Sequence, residues 1–189
     1  TPATLNTDSA ALSGKITDDS LTLNKASASG AFASEHVGTG ITVNISGLTI
    51  EGDDSENYSL TQPTTTANIT QKALSATGVA ADNKTYDSET TSTLVYTGKG
   101  WTGLIALDTV VLEETGTGTF ASEHVGTGIT VNITGLSISG SDAENYNFTT
   151  TASATANITQ KGITVTGITA SNKTYDSETP ATLNTDSAA

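Results

Sequence analysis

The sequence predicts an all-β protein assembled from tandem antiparallel β-sandwich repeats, and three observations carry that prediction. The stretch FASEHVGTGITVNI, Phe32 to Ile45, returns letter for letter from Phe120 to Ile133. Within it Ile41, Val43 and Ile45 alternate with Thr42 and Asn44, the period-two pattern of a strand with one buried face. Apolar residues nowhere recur at helical spacing over a sustained run, and the abundance of Thr, Ser and Gly favours extended chain and turns.

The repeat extends well beyond that stretch. GLTIEGDDSENYSL (Gly47 to Leu60) corresponds to GLSISGSDAENYNF (Gly135 to Phe148) at an offset of 88, and TANITQK recurs at Thr66 and Thr155 at an offset of 89. One residue is therefore inserted near Thr149 to Ala152. KTYDSET at Lys84 and Lys173 sets the period at 89 residues, the length of one small domain. TPATLNTDSAA forms both residues 1–11 and residues 179–189, two periods apart. The organisation expected is a first repeat over 1–72 without its N-terminal segment, a complete second repeat over 73–161, and the start of a third over 162–189. A rival frame places the boundary near Glu89 and leaves an eleven-residue tail. Both frames lead to the expectation of a piece of a longer array.

Taken in order, residues 1–14 read as a turn-rich lead-in, with Leu5 and Leu12 in the places of Leu94 and Trp101. Ser20 to Leu23 predicts a short strand, followed by a loop of Ala, Ser and Gly as far as Phe32. The strand after VGTG ends at Gly47. Leu48 to Ile50 predicts another, the acidic loop EGDDSEN follows, and Tyr58 to Thr61 predicts the next. Thr65 to Thr70 alternates with Ala67 and Ile69 on one face, and in Ala73 to Val79 the residues Leu74, Ala76 and Gly78 share a side. GTGTF from Gly116 lacks the Lys and following helix of a phosphate loop and reads as a hairpin turn. This makes about seven strands per repeat, with Tyr86, Tyr96, Trp101, Phe120, Tyr146 and Phe148 to close the core of the complete one.

Composition narrows the function classes. The net charge is −13, with seven Lys and no Arg, so phosphate backbones are repelled and no nucleic-acid partner is expected. Cysteine is absent, which removes disulfides and thiolate chemistry. No apolar run reaches membrane-spanning length, so no membrane insertion of this segment is expected. A Cys-free, acidic, hydroxyl-rich repeat fits a secreted or bacterial cell-surface protein.

Several motifs invite chemistry. Ser34, Glu35, His36 and their counterparts Ser122, Glu123, His124 hold residue types familiar from hydrolases, but in a strand Ser and His face away from Glu, and no oxyanion-hole motif accompanies them. No catalytic residue and no enzyme activity is expected. Asp53, Asp54 and Glu56, with Asp142 and Glu144 in the second copy, are weak calcium candidates; Asp18, Asp19 and Asp108 are weaker still. Apart from that calcium, no cofactor is expected. Lys72, Lys84, Lys161 and Lys173 recur beside Asn and Asp, as an intramolecular isopeptide crosslink requires; the alternative is a Lys stem lying over apolar surface. Asp87 is expected to cap a turn and Tyr86 to pack at the core edge.

KTYDSET, FASEHVGTGITVNISGLTIEG, the ENY triplet and TANITQK stand in one order along the whole chain. This resembles the YDG repeat, a bacterial immunoglobulin-like module found in tandem in very large filamentous-haemagglutinin-like surface adhesins. Lys84, Tyr86 and Asp87 match the Lys-x-Tyr-Asp-Gly signature, as do Lys173, Tyr175 and Asp176, whereas Ser88 and Ser177 stand where glycine is usual. Serine disfavours the positive φ that glycine takes readily. The resemblance implies immunoglobulin-like sandwiches in an elongated rod, a stalk that projects a distal adhesive region, with no catalytic residues to carry over. The partners expected are neighbouring repeats in the same chain. Host glycans or matrix proteins are the alternative, with the repeats themselves adhesive; exposed aromatics on a flat sheet would favour that reading. Because the first repeat lacks a segment that the overhang carries, head-to-tail association of copies is also expected.

Overall fold

The computed structural model describes residues 2–186, so Thr1 and the last three residues of the expected third repeat lie outside the described part. No α-helix occurs among the described residues; single 3-10 turns stand at Ser55–Asn57 and Ala143–Asn145. The strands of the first repeat are β1 (Pro2–Ala3), β2 (Thr22–Asn24), β3 (Ser29–Phe32), β4 (Gly38–Ser46), β5 (Thr49–Glu51) and β6 (Thr64–Ile69). There follow β7 (Lys72–Thr77), β8 (Ala80–Ala81), β9 (Lys84–Thr85), β10 (Thr91–Ser92), β11 (Leu94–Val95) and β12 (Gly100–Thr102). Then come β13 (Val111–Glu113), β14 (Thr117–Phe120), β15 (Gly126–Thr134), β16 (Ser137–Ser139), β17 (Tyr146–Phe148) and β18 (Ala152–Thr159), and finally β19 (Thr169–Ala170) and β20 (Leu183–Asn184).

The chain divides into two compact units. One is formed by Thr1–Thr77, Gly100–Glu114 and Leu136–Thr150. It contains the sheet β1-β3-β4-β6, the sheet β12-β7-β17, and the pairs β2-β5 and β13-β16. Leu74, Leu112, Leu136 and Tyr146 are buried there, at 2 to 4% exposure. The other comprises Gly78–Lys99, Thr115–Gly135 and Thr151–Ala189, with the sheet β10-β14-β15-β18-β9 and the pairs β8-β11 and β19-β20. Its core joins Phe120, Val131, Ala156 and Ile158, with Ala81, Tyr86 and Ile129 packed against them. Burying each of the large apolar side chains contributes about 1.5–3 kcal/mol.

The repeated stretch is a strand, a bend and a bulged strand. β3 pairs antiparallel with β4, and β14 with β15, so Phe32 faces Val43 and Phe120 faces Val131 in identical register. The ladder of β4 with β6 shifts between Gly38 and Ile41, and that of β15 with β18 between Gly126 and Ile129. Gly40 and Gly128 take φ of 62° and 63° there, which a side chain would resist. The side-chain carbonyls of Asn68 and Asn157 accept the freed amides of these glycines, each at 2.8 Å. VGTG and TANIT thus specify one β-bulge between them.

The structure departs from the sequence reading in four respects. GTGTF is no hairpin turn: Thr117–Phe120 is a strand inside the five-stranded sheet, paired on both sides. The loop before Phe32 is likewise a strand from Ser29. Both were obscured because Gly30 and Gly118 interrupt the β pattern; a Cβ on either would meet Leu5 or Leu94 at 2.7 Å, so glycine makes room for a core leucine. Pairing is also not wholly antiparallel, since β17 runs parallel to β7 and β18 parallel to β9. A parallel pair needs a long crossover, and here the rest of the repeat supplies it. Lastly, Tyr58 to Thr61 forms no strand, although its counterpart Tyr146–Phe148 does.

Candidate functional site

The KTYD signature folds into a clasp. From β9, Lys84 Nζ donates to Asp87 Oδ1 at 2.7 Å, to the Glu89 carbonyl at 2.6 Å and to the Thr91 carbonyl at 3.2 Å. Its ammonium lies 5.5 Å from the centroid of the Phe120 ring, so the same cation touches the core. Asp87 Oδ1 also accepts the Glu89 amide at 3.0 Å, which makes it the turn cap that its position implied. The Lys84 hydrogen bond, then the Glu89 amide, hold this carboxyl below its ordinary value. Tyr86 donates its amide to the Thr159 carbonyl at 2.9 Å and lays its ring against the Phe120 cluster.

The second copy of the motif builds the same turn with no large sheet behind it. Lys173 Nζ reaches Asp176 Oδ1 at 2.9 Å and the Glu178 carbonyl at 2.8 Å, and Glu178 returns its amide to Asp176 at 3.0 Å. Ser88 and Ser177 both stand at positive φ, 65° and 62°. Serine here adopts the left-handed conformation that glycine takes more readily. The conformation is imposed by the Lys–Asp clasp on either side.

The acidic loops close on the chain itself. Asp54 Oδ2 accepts the Ser20 amide at 2.8 Å, and Asp142 Oδ2 accepts the Thr109 amide at 2.8 Å and the Ser141 hydroxyl at 2.9 Å. The Thr109 amide, followed by the Ser141 hydroxyl, lowers the Asp142 pKa. Asp53, Glu56 and Glu144 are exposed. No group of three or more acidic or histidine side chains stands placed for a metal ion among the described residues. Asp19 and Asp108 serve the tyrosines of the ENY triplets. Tyr146 Oη accepts the Ile105 amide at 3.0 Å and donates to Asp108 Oδ2 at 2.5 Å, while Tyr58 repeats this with Ile16 at 3.1 Å and Asp19 at 2.5 Å. Burial, then the Asp108 bond, raises the Tyr146 pKa; the Asp19 bond leads in raising that of Tyr58.

Ser34 and His36 lie in the bend between β3 and β4 rather than on a strand. The Ser34 hydroxyl accepts the His36 amide at 3.1 Å, and Ser122 accepts that of His124 at the same distance. Each serine is thus spent on its own turn.

That first bend instead meets the second repeat. Asn145, in the second ENY triplet, accepts the Val37 amide on Oδ1 at 3.0 Å, and its Nδ2 lies 3.2 Å from His36 Nδ1. Since Oδ1 is the acceptor, Nδ2 is the donor and His36 Nδ1 accepts. Gln71 Nε2 adds a bond of 3.1 Å to the Glu144 carbonyl. Between the end of β6 at Ile69 and the start of β7 at Lys72 only Thr70 and Gln71 intervene. Val37 is half-buried, whereas its counterpart Val125 is 49% exposed. Sequence reasoning did not pair the SEH of one repeat with the ENY of the next. The available signal was that both recur at polar, non-core positions in each copy.

Aromatic rings are drawn inward. Trp101 packs edge-on against Phe148, centroids 6.1 Å apart, and every ring except that of Tyr175 is buried or half-buried. Compared with known proteins, the sequence matches a family model described as the YDG domain twice in tandem, over residues 1–67 and 70–155. No curated protein and no solved structure matches the chain.

Proposed function

The chain belongs to the YDG domain family, and from that premise we propose that it is a structural spacer: immunoglobulin-like β-sandwich repeats joined into an elongated stalk of a bacterial cell-surface adhesin, projecting a distal adhesive region. The observation that carries this reading is the junction. A connection of two residues, Thr70 and Gln71, together with the bonds from Asn145 to Val37 and His36 and from Gln71 to Glu144, leaves little freedom to flex. Reach then grows with the number of repeats. The inward aromatics add support, because sheet-mounted glycan binding uses exposed rings.

Paired spin labels, one in each repeat, test the junction. A narrow distance distribution is expected, broadening in the double variant Gln71→Ala/Asn145→Ala; a broad distribution in the unaltered protein would overturn the stiff stalk.

A second reading makes the repeats themselves adhesive toward glycans or matrix proteins. It draws on Leu107, an apolar side chain fully exposed on a turn at φ 81°. Immobilised glycans and matrix proteins should capture none of the folded protein. Saturable capture that Leu107→Ser abolishes would transfer the function to the repeats.

A further inference from the structure

Among the described residues two ladders are parallel, and both bind an early strand of the second repeat beside a late one. β7 runs parallel to β17, with Lys72 opposite Tyr146 and Leu74 opposite Phe148; the Thr149 amide extends this ladder to the Leu74 carbonyl at 2.9 Å. β9 runs parallel to β18, with Lys84 opposite Ile158 and Thr85 opposite Thr159. The second ladder is lengthened at both ends. Before it, the Asn157 amide donates to Asn83 Oδ1 at 2.7 Å; after it, the Tyr86 amide donates to the Thr159 carbonyl at 2.9 Å. The Thr159 hydroxyl adds a bond to the Lys84 carbonyl at 3.3 Å.

Strand direction decides how such a ladder answers a pull along the chain. Tension from the preceding repeat reaches β9 at its N-terminal end, Lys84, and tension from the opposite side reaches β18 at its C-terminal end, Thr159. In a parallel pair these two points lie at opposite ends of the ladder. The strands are then drawn past each other, and the bonds from Asn83 to Tyr86 share the load. In the antiparallel pair β14-β15 the corresponding ends coincide, because Thr117 lies opposite Thr134, so a pull there opens the ladder one bond at a time. The Lys84 clasp spreads the load further. β9 and β10 are the two edges of the five-stranded sheet, and Lys84 Nζ on one edge holds the Thr91 carbonyl on the other at 3.2 Å. It does so across the Phe120 ring, and with the side chain only 16% exposed, water has little access to replace these bonds. β9 therefore cannot slide along β18 without drawing β10 with it.

We propose that the parallel β9-β18 ladder, locked by the Lys84 clasp, is a tension clamp that keeps the repeat folded while load passes along the chain. The inference rests on the stalk reading for the source of the load, and it gives the KTYD signature a task there. Asp87 holds the ammonium in place through its 2.7 Å ion pair and fixes the turn through the Glu89 amide. The β7-β17 ladder runs in the same sense, so the chain is already restrained before tension arrives at β9. Stiffness against bending belongs to the junction and strength against pulling to the repeat, and either can exist without the other.

Optical tweezers on the full chain test it. The sequence has no cysteine, so paired Cys substitutions choose the points of pull. Asp82→Cys with Lys161→Cys loads the clamp from opposite ends, whereas Thr117→Cys with Thr134→Cys loads β14-β15 from one end; all four residues are exposed. At equal constant load the first pair should outlive the second at least about tenfold, since forced opening follows the unfolding rate and several bonds must fail in one step. Lys84→Met keeps the stem over Phe120 and removes the ammonium. It should shorten the first lifetime about tenfold and leave the second unchanged. Equal lifetimes in the two directions overturn the clamp. A Lys84→Met loss of the same size in both directions assigns Lys84 to general stability and overturns its part in bearing load. Both pulls act within one repeat, so a broad spin-label distribution would remove the stiff stalk and leave this result standing.

Discussion

Ser88→Gly should stabilise the second repeat. In the left-handed region the Cβ of an L residue crowds the following carbonyl, at about 1–2 kcal/mol per residue. Ser88 sits there at φ 65°. Glycine removes that cost but enlarges the unfolded ensemble, returning about 0.4–1 kcal/mol. The hydroxyl bond from Ser88 to the Asp87 carbonyl is exposed and contributes little. The net gain is about 0.5–1 kcal/mol, which for a domain of this size raises the midpoint by about 2–8 °C. Differential scanning calorimetry measures it, and Ser177→Gly provides an internal control. Ser177 has the same φ, 62°, but stands in a segment whose residues are exposed throughout, so its replacement should leave the repeat's transition in place. An unchanged or lower midpoint for Ser88→Gly would refute the strain argument. Equal rises in both variants would show that the gain does not come from strain held in the folded second repeat.

Other outcomes follow from the same contacts. Tyr146→Phe keeps the buried ring but strands the Ile105 amide and the Asp108 carboxylate, and should cost about 1–3 kcal/mol in chemical denaturation; Tyr58→Phe, at a half-buried site, should cost less. Gly140→Ala places a Cβ 2.3 Å from the Thr109 carbonyl at φ 112°, so a loss of more than about 1–3 kcal/mol is expected, and a neutral result would contradict the placement of that loop. The pH profile of the melting midpoint should fall at both extremes. Asp87 and Asp142 have folded pKa values below the ordinary 3.8, so their contribution is present above that value and lost as pH falls through the folded one. Tyr146 is raised above 10.0, so its contribution is present below pH 10 and lost as pH rises through its folded value. Asp142→Asn should flatten the acid limb.

The repeat, its period and the β class were legible because they rest on local signals: identical letters and strict alternation in Ile41, Val43 and Ile45. The Asp87 turn cap was legible for the same reason, since Asx turns are made within a few residues. What remained hidden depends on partners distant in sequence. Nothing in SEH announces that the bend after it will meet Asn145, 108 residues away from Val37. Gly118 looked like a turn because its lack of a side chain serves Leu94 across the sheet rather than its own backbone.

The sharpest case is the pair Tyr58–Leu60 and Tyr146–Phe148. Both begin on the tyrosine of an ENY triplet directly after a 3-10 turn, both alternate, and both tyrosines bind an aspartate and a backbone amide in the same way. Only the second is a strand, because only the second has β7 beside it. Strand identity here belongs to the ladder and not to the segment, as expected where β-propensity reports the fit to a neighbouring strand. Local sequence therefore predicts where a strand can form; which of those sites is occupied depends on whether a segment of the Lys72–Thr77 type lies alongside.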